Sequence, residues 1–514
     1  MGNEILADLH AVRRVYADSP DEQLDQLKSD PMLKRFAESR RKLDTEDPLR
    51  PLYHFSAPEG ALNDPNGLCL WNGKYHLFYQ HHAEAEPRVH WGHAMSDDLI
   101  RWSDLPLAIY PSIETHCFSG ATCVEDDRVI ALYQGNRNGT MVATSKDPLL
   151  LNWEKNPRNP VIPRVETDDT GYPYVVGDVC IWKEEDGYFA LNGNKRRDST
   201  KAPYHPTSHL FFSQDLSRWI YYGRLFDDEI FAGPDNDASC PYFFPIGDKY
   251  IYCYFSHKSS SGYYIGDYDK TERRFTPLHH GRFLSGEVLR GSIHAPCIYP
   301  DGNGGCYAVF NTKECREVDG RIGGIMTLPR LLTLQEDNTL GIEPIDAVQT
   351  LRSSSTHIGS VSLPANEEVP LKEASGNAIE IEAQIDPLEA RMVCINVLQS
   401  PGKEEYTPIC FYINTSGRRK NVAQVLIDPT RSSLRKDVFA RIPESLEVQL
   451  DEDNLINCRI FIDRSLIEVF INRTQCVTLM VHPSRKDSVG ISLGAQGGNA
   501  LVKNLSVYQM RSIW

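Results

Sequence analysis

The chain has 514 residues, with 54 Lys and Arg against 70 Asp and Glu, for a formal net charge of −16. Its 41% hydrophobic and 24% charged residues are those of an ordinary globular protein and exclude wholesale disorder. The acidic balance argues against nucleic acid and anionic membranes as partners, because both reward surfaces of Lys and Arg.

Residues 1–50 read as a helical extension. Leu6, Leu9, Val12 and Tyr16 recur at helical spacing. Ser19-Pro20-Asp21-Glu22 then supplies a capping residue, a proline at the first helical position and acids in the first turn. Leu24, Leu27, Met32, Leu33 and Phe36 continue the pattern across Pro31. Such an extension either packs on the main body or serves as an arm for a homo-oligomer. Met1 to Asp18 lacks the apolar run of a signal peptide. Leu6 also stands where myristoylation wants Ser or Thr. No apolar run reaches the ~18 residues of a membrane span. The 13 cysteines are odd in number and form no Cys-x-x-Cys pair, as expected of free thiols in a reducing cytoplasm.

From Pro51 the texture changes to strands, and a repeat appears. A turn followed by an aromatic-rich strand recurs at Gly73 to Tyr79, Asp127 to Tyr133, Gly187 to Asn192, Asp248 to Tyr254 and Gly304 to Phe310. The intervals are 54, 60, 61 and 56 residues. A second element follows three of these strands: Ser96 and Asp98 with Trp102, Ser145 and Asp147 with Trp153, and Ser213 and Asp215 with Trp219. Five all-β units of nearly equal length predict a five-bladed β-propeller over 51–350. Beyond Ser353-Ser354-Ser355 the repeat stops and alternating strands continue, as in Ile379 to Ile385, Cys458 to Asp463 and Ile467 to Ile471. Alternation of this kind buries one face and wets the other, so 351–514 reads as a C-terminal β-sandwich. The expected fold class is therefore all-β, with a short N-terminal helical extension.

Ligands of propellers bind near the axis, where the innermost strands converge. Counting back eight to ten residues from each repeated turn reaches Asp64, Ser119, Asp178, Ser239 and His294. Two are carboxylates, and a pair of carboxylates across an axial funnel invites glycosidase chemistry. Capping of blade turns is the competing role for such residues, and it is the expected role of Asp98, Asp147 and Asp215. His81, His82, His90 and His93 could be imagined as a metal cluster, but no acidic ligand spacing accompanies them and no metal is expected. There is also no Gly-rich phosphate loop, and no cofactor is implied.

Asn63-Asp64-Pro65-Asn66-Gly67 resembles the signature of glycoside hydrolase family 32, the invertases, inulinases and levanases. The resemblance extends over almost the whole chain beyond residue 50. Tyr75 to Gln80 and Trp91-Gly92-His93-Ala94 look like motifs of its first blade, and Phe118-Ser119-Gly120 like its Phe-Ser-Gly box. Asn159 to Ile162, Leu328-Pro329-Arg330, and Phe461 to Ser465 with Ile467 to Phe470 follow in order. The resemblance implies a five-bladed propeller followed by a β-sandwich, and a small carbohydrate substrate. It also implies a retaining reaction on a β-fructofuranoside through a covalent intermediate. Asp64 falls on the family's nucleophile and Asp178 on its transition-state stabiliser. Asn63, Gln80, Trp91, Phe118, Ser119, Ser239 and His294 are candidate substrate contacts, with core packing the alternative for Trp91 and His294.

Two departures qualify the resemblance. Gly177-Asp178-Val179 stands where the family has Arg-Asp-Pro, and Ala238-Ser239-Cys240-Pro241 where it has Glu-Cys-Pro. The family's general acid/base Glu is therefore replaced by Ser239. Asp237, two residues upstream and on the same strand face, is the expected replacement acid/base. Asp235, Glu229 and the substrate itself are the other sources. A fructosyl or glycosyl transferase on the same scaffold and a catalytically silent sugar-binding protein are the alternative functions.

Overall fold

The computed structural model describes residues 13–83, 87–166, 171–197, 204–226, 237–286, 288, 290–317, 324–414 and 421–514. Asp235, Glu229, Leu6, Leu9 and Val12 lie outside them. Between Ala61 and Pro344 the chain forms five small antiparallel sheets, each laid down strand by strand in sequence order. The first strands of the sheets are Ala61–Trp71, Gly120–Val124, Asp178–Glu184, Ser239–Ile246 and Ile293–Pro300. Each touches the next, and Ile293–Pro300 returns to Ala61–Trp71, so the sheets close into a ring. Closure of this kind leaves the sheets packing face to face, which is what the aromatic repeat provides. Phe243, for example, sits with ring centroids 5.3 Å from Trp182, 5.0 Å from Tyr250 and 5.4 Å from Phe275.

The recurring Ser/Asp corners are structural. Asp98 accepts from the backbone N–H groups of Ile100 and Arg101, Asp147 from those of Leu149, Leu151 and Asn152, and Asp215 from those of Ser217 and Arg218. Each carboxylate satisfies donors that a tight corner leaves without a ladder partner. The N-terminal segment packs on the outside of this body. Helix Pro20–Lys28 and helix Pro31–Glu46 are separated at Pro31, where Asp30 caps the second by accepting from the N–H of Met32 and Leu33. Met32 and Phe36 cover Leu107, and Arg40 pairs with Asp104 at 2.7 Å. Tyr16 precedes the helices in irregular chain and packs on Leu105, Leu149 and Leu151.

After Pro344 a short 3-10 helix, Asp346–Leu351, leads into strand Arg352–His357, which pairs with the last strand, Ala500–Met510. Two antiparallel sheets then form the β-sandwich around Ile381, Val393, Ile395, Phe411, Val425 and Ile460. The expectation of one wet face fails at Leu466–Ile471, which is buried throughout. The outer face of that strand abuts the propeller, and Glu468 is the reason it can. Glu468 accepts from Arg330 at 2.8 Å and lies 3.2 Å from His54 Nε2, while His54 Nδ1 lies 2.9 Å from Asp463. All four side chains are inaccessible to solvent.

This clasp has a defined pH dependence. Burial alone lowers the basicity of His54, but the bonds to Asp463 and Glu468 override it and raise the group to about 9. Burial raises Glu468, but the charge of Arg330 and the bond from His54 bring it down to about 2. The His54 contribution is present in full below the ordinary histidine value of about 6.5 and is lost as pH rises through about 9. The Glu468 contribution is present above the ordinary value of about 4.3 and is lost as pH falls through about 2. Stability should therefore be greatest between those two ordinary values and decline on the alkaline side. His54→Ala should cost about 3–5 kcal/mol in denaturant unfolding at pH 6, because it strips a partner from buried carboxylates. A loss below ~1 kcal/mol on that scale would show that the clasp contributes little.

Candidate active site

The inner end of strand Ala61–Trp71 is irregular, with register shifts between Leu62 and Pro65 and again between Asn66 and Cys69. Pro65 cannot donate to the ladder, and Gly67 takes φ +52°, where a Cβ would come within 2.5 Å of Thr122 Cγ2. These bulges accompany the turn of Asp64 toward the axis. Asp64 is 5% exposed and its carboxylate is fully engaged. Oδ2 accepts from Ser119 Oγ at 2.6 Å and Gln80 Nε2 at 3.0 Å, and Oδ1 lies 3.1 Å from His294 Nδ1. Gln80 also donates to Ser119 Oγ at 2.8 Å, so one amide ties the two residues together. Asn63 donates to Gln80 Oε1 and receives Asn311 Nδ2, both at 3.1 Å, together with the ammonium of Lys313.

Asp178 begins the third inner strand and faces the same space, half-buried. Its partner is Cys240, whose backbone N–H donates to Asp178 Oδ2 at 3.0 Å. The thiol of Cys240 lies between the carboxylates, 3.4 Å from Asp178 Oδ2 and 3.7 Å from Asp64 Oδ2. A bulge between Ser239 and Tyr242 and a φ of +48° at Cys240 bring both groups inward.

Electrostatics separates the two acids. Burial alone would raise Asp64, but the bonds from His294 and Ser119 and the charge of Lys313 hold it well below the usual carboxylate range. Burial, helped by the neighbouring Asp64 charge, pushes Asp178 up to about 6 against the bonds from Cys240. Burial and Lys313 bring His294 down to about 4, so at neutral pH it is an uncharged Nδ1–H donor to Asp64. Asp64 is thus an ionised carboxylate held rigidly, and Asp178 one that titrates near physiological pH.

The remaining candidates fall at different depths. Phe118 is half-buried at the rim, stacked on His116 at 5.1 Å. Trp91, a candidate for lining the sugar site, is inaccessible. It packs on Phe78 and Tyr133 behind the wall, and its indole N–H donates to Phe118 O at 2.9 Å. Its role is to hold the rim, not to meet a ligand. Ser239 donates to Asp237 Oδ2 at 3.1 Å. Asp237 lies at the site's edge, but not as a free acid. It accepts from the backbone N–H of His257 at 3.0 Å and lies 2.5 Å from its Nδ1. Burial is outweighed by these bonds, and the carboxyl is lowered, which is the wrong direction for a proton donor.

Cys240, Asn311, Lys313 and His257 were not singled out from the sequence. The repeat contains a signal for three of them. Seven residues after each repeated turn stand Gln80, Gln134, Asn194, Phe255 and Asn311, and nine residues after stand His82, Asn136, Arg196, His257 and Lys313. The second strands and the residues just after them thus bring Gln80, Asn311, Lys313 and His257 to the site.

The sequence profile described as the N-terminal domain of glycosyl hydrolases family 32 matches residues 54–344, and that of the family's C-terminal domain matches 347–509. The chain belongs to glycosyl hydrolases family 32. It is a glycosidase by that membership. Among family 32 relatives, the levanase of Bacillus subtilis is 26% identical, over 91% of this chain and 71% of that protein. A sucrose-6-phosphate hydrolase of Zymomonas mobilis is 28% identical, over 88% of this chain and 90% of that protein. The crystal structure of fructan 1-exohydrolase IIa from Cichorium intybus superposes with a TM-score of 0.79 at 21% identity, covering 91% of this chain and 98% of that one.

Proposed function

We propose that the protein hydrolyses a β-fructofuranoside with retention, through a covalent fructosyl ester on Asp64. The observation that carries this reading is the unequal pair of carboxylates. Asp64 is kept ionised by Ser119, Gln80 and His294, while Asp178 sits beside it with its carboxyl raised to about 6. In the first step an Asp64 oxygen bonds to the anomeric carbon as the bond to the departing oxygen breaks. Positive charge developing on the ring is stabilised by ionised Asp178. In the second step water attacks the same carbon and frees Asp64. The relatives named for levan, fructan and sucrose 6-phosphate support a fructosyl unit as the group transferred. With Ser239 in place of the family's acid, the proton for the departing oxygen comes from elsewhere in the site.

The test is a screen of alkyl, sugar and nitrophenyl fructofuranosides, with the anomer released at early times read by NMR. Initial β-fructofuranose is the expected product. Initial α-fructofuranose would mean direct attack by water and would remove the covalent role of Asp64. Transfer to added sugar in preference to water would make the protein a fructosyltransferase. Binding without turnover of any fructoside would favour a silent sugar-binding protein, the reading that the loss of the acid Glu otherwise supports.

A further inference from the structure

The fourth sheet places a second proton-carrying group at the mouth of the site. Its first two strands, Ser239–Ile246 and Lys249–Phe255, pair antiparallel with Ser239 opposite Phe255. Just beyond the ends of these strands, where Ala238 takes φ +46° and the chain leaves the ladder, Asp237 meets His257. The pair is closed twice, by the His257 backbone N–H on Asp237 Oδ1 at 3.0 Å and by the ring Nδ1 on Oδ2 at 2.5 Å. Ser239 Oγ adds a third bond to the same carboxylate.

This arrangement fixes which ring nitrogen is available. With Nδ1 bound to Asp237, the other nitrogen, Nε2, has no partner among the described residues, and the side chain is 51% exposed. The ring lies 5.6 Å from that of His294, edge to face, and His294 in turn touches Asp64. His257 therefore stands beside the histidine that holds the nucleophile, with its Nε2 edge exposed.

Resting on the fructosidase reading above, we infer that the Asp237–His257 pair replaces the missing carboxylic acid, with His257 Nε2 passing the proton and Asp237 positioning the ring. In the first step the imidazolium N–H protonates the departing oxygen, which leaves as an alcohol while Asp64 takes the sugar. The imidazole, now neutral, takes a proton from the attacking water in the second step and is restored to imidazolium. No other reactant is needed. The carboxylates of Asp237, Asp178 and Asp64 favour this cycle. The bond to Asp237 raises the imidazole against its burial, and Asp178 and Asp64 add to the effect, while His294 on the fifth sheet is neutral. The pair therefore holds the proton on this ring more firmly than an ordinary histidine holds it.

The experiment uses the full chain and two substrates, a sugar fructoside with a poor leaving group and a nitrophenyl fructoside whose aglycone departs unaided. His257→Ala should lower kcat/KM on the first by about 10²–10⁴-fold and on the second by less than ~10-fold. His257→Asn, whose amide takes the place of Nδ1 and can keep the bond to Asp237, should show the same selectivity and guards against misfolding. Asp237→Asn should leave KM unchanged, lower kcat, and move the alkaline limb of kcat/KM and the NMR titration of His257 toward about 6.5. A merely structural Asp237 would leave that limb in place. Equal losses on both substrates in the His257 variants, activity within threefold of wild type on both, or an unmoved limb in Asp237→Asn each overturn the inference. Asp64→Asn in the same assay tests the underlying reading separately. If it abolishes turnover while the His257 variants behave as wild type, only the inference falls. If it retains turnover, or if the wild type turns over neither substrate, both fall.

Discussion

Asp64→Asn is expected to abolish turnover of every fructoside, by about 10⁴-fold or more, because it removes the atom that forms the covalent bond. Folding should be unaffected. The amide oxygen can still receive Ser119 Oγ and Gln80 Nε2, which bond one carboxylate oxygen at 2.6 and 3.0 Å. The amide nitrogen then meets His294 Nδ1, and neutral imidazole can shift its proton to Nε2 and accept at Nδ1. Thermal unfolding within a few degrees of wild type, with kcat on nitrophenyl fructoside at background, is the expected pair of results. A variant that keeps activity within tenfold of wild type would mean that some other group attacks. The two measurements are needed together, because Asp64 is enclosed by four partners and a collapsed site would also be inactive.

What the sequence made legible follows from period and offset. Asp64, Ser119, Asp178, Ser239 and His294 lie at or beside the starts of the five innermost strands, because a repeat of nearly constant length fixes where each such strand begins. Alternation along a strand was less informative. It separates two faces without saying what lies across from either. Glu468 alternates with apolar neighbours like any surface acid, yet it is fully buried because Arg330 and His54 reach it from the propeller. Trp91 has the residue type of a sugar platform, and its depth depends on Phe78 and Tyr133 packing around it. Asp237 and Ser239 were read as a strand pair from one side only. The partner that changes the meaning of Asp237, His257, lies 20 residues on, and bringing them together requires the hairpin register.

Asp178→Asn is expected to lower kcat/KM by about 10²–10³-fold, the usual cost of removing one preorganised stabiliser of developing charge. Its pH profile carries more information than its magnitude. Asp178 works as a carboxylate, and its carboxyl is raised to about 6 by burial and by Asp64, so wild-type activity should fall as pH drops through about 6. His294, lowered to about 4, and Asp64, lower than usual, titrate too far below to produce that limb. The alkaline limb belongs to His257, which is raised above its ordinary value. Wild type should therefore show a bell. Asp178→Asn should flatten the acid limb. It should also draw the alkaline limb to lower pH, because Asp178 is one of the charges that hold the proton on His257. A single substitution thus moves both sides of the curve if the two groups share one site. An acid limb that survives near pH 6 in Asp178→Asn would assign it to another residue. An alkaline limb that stays fixed would place His257 outside the field of the carboxylates, against the 5.6 Å approach of its ring to His294.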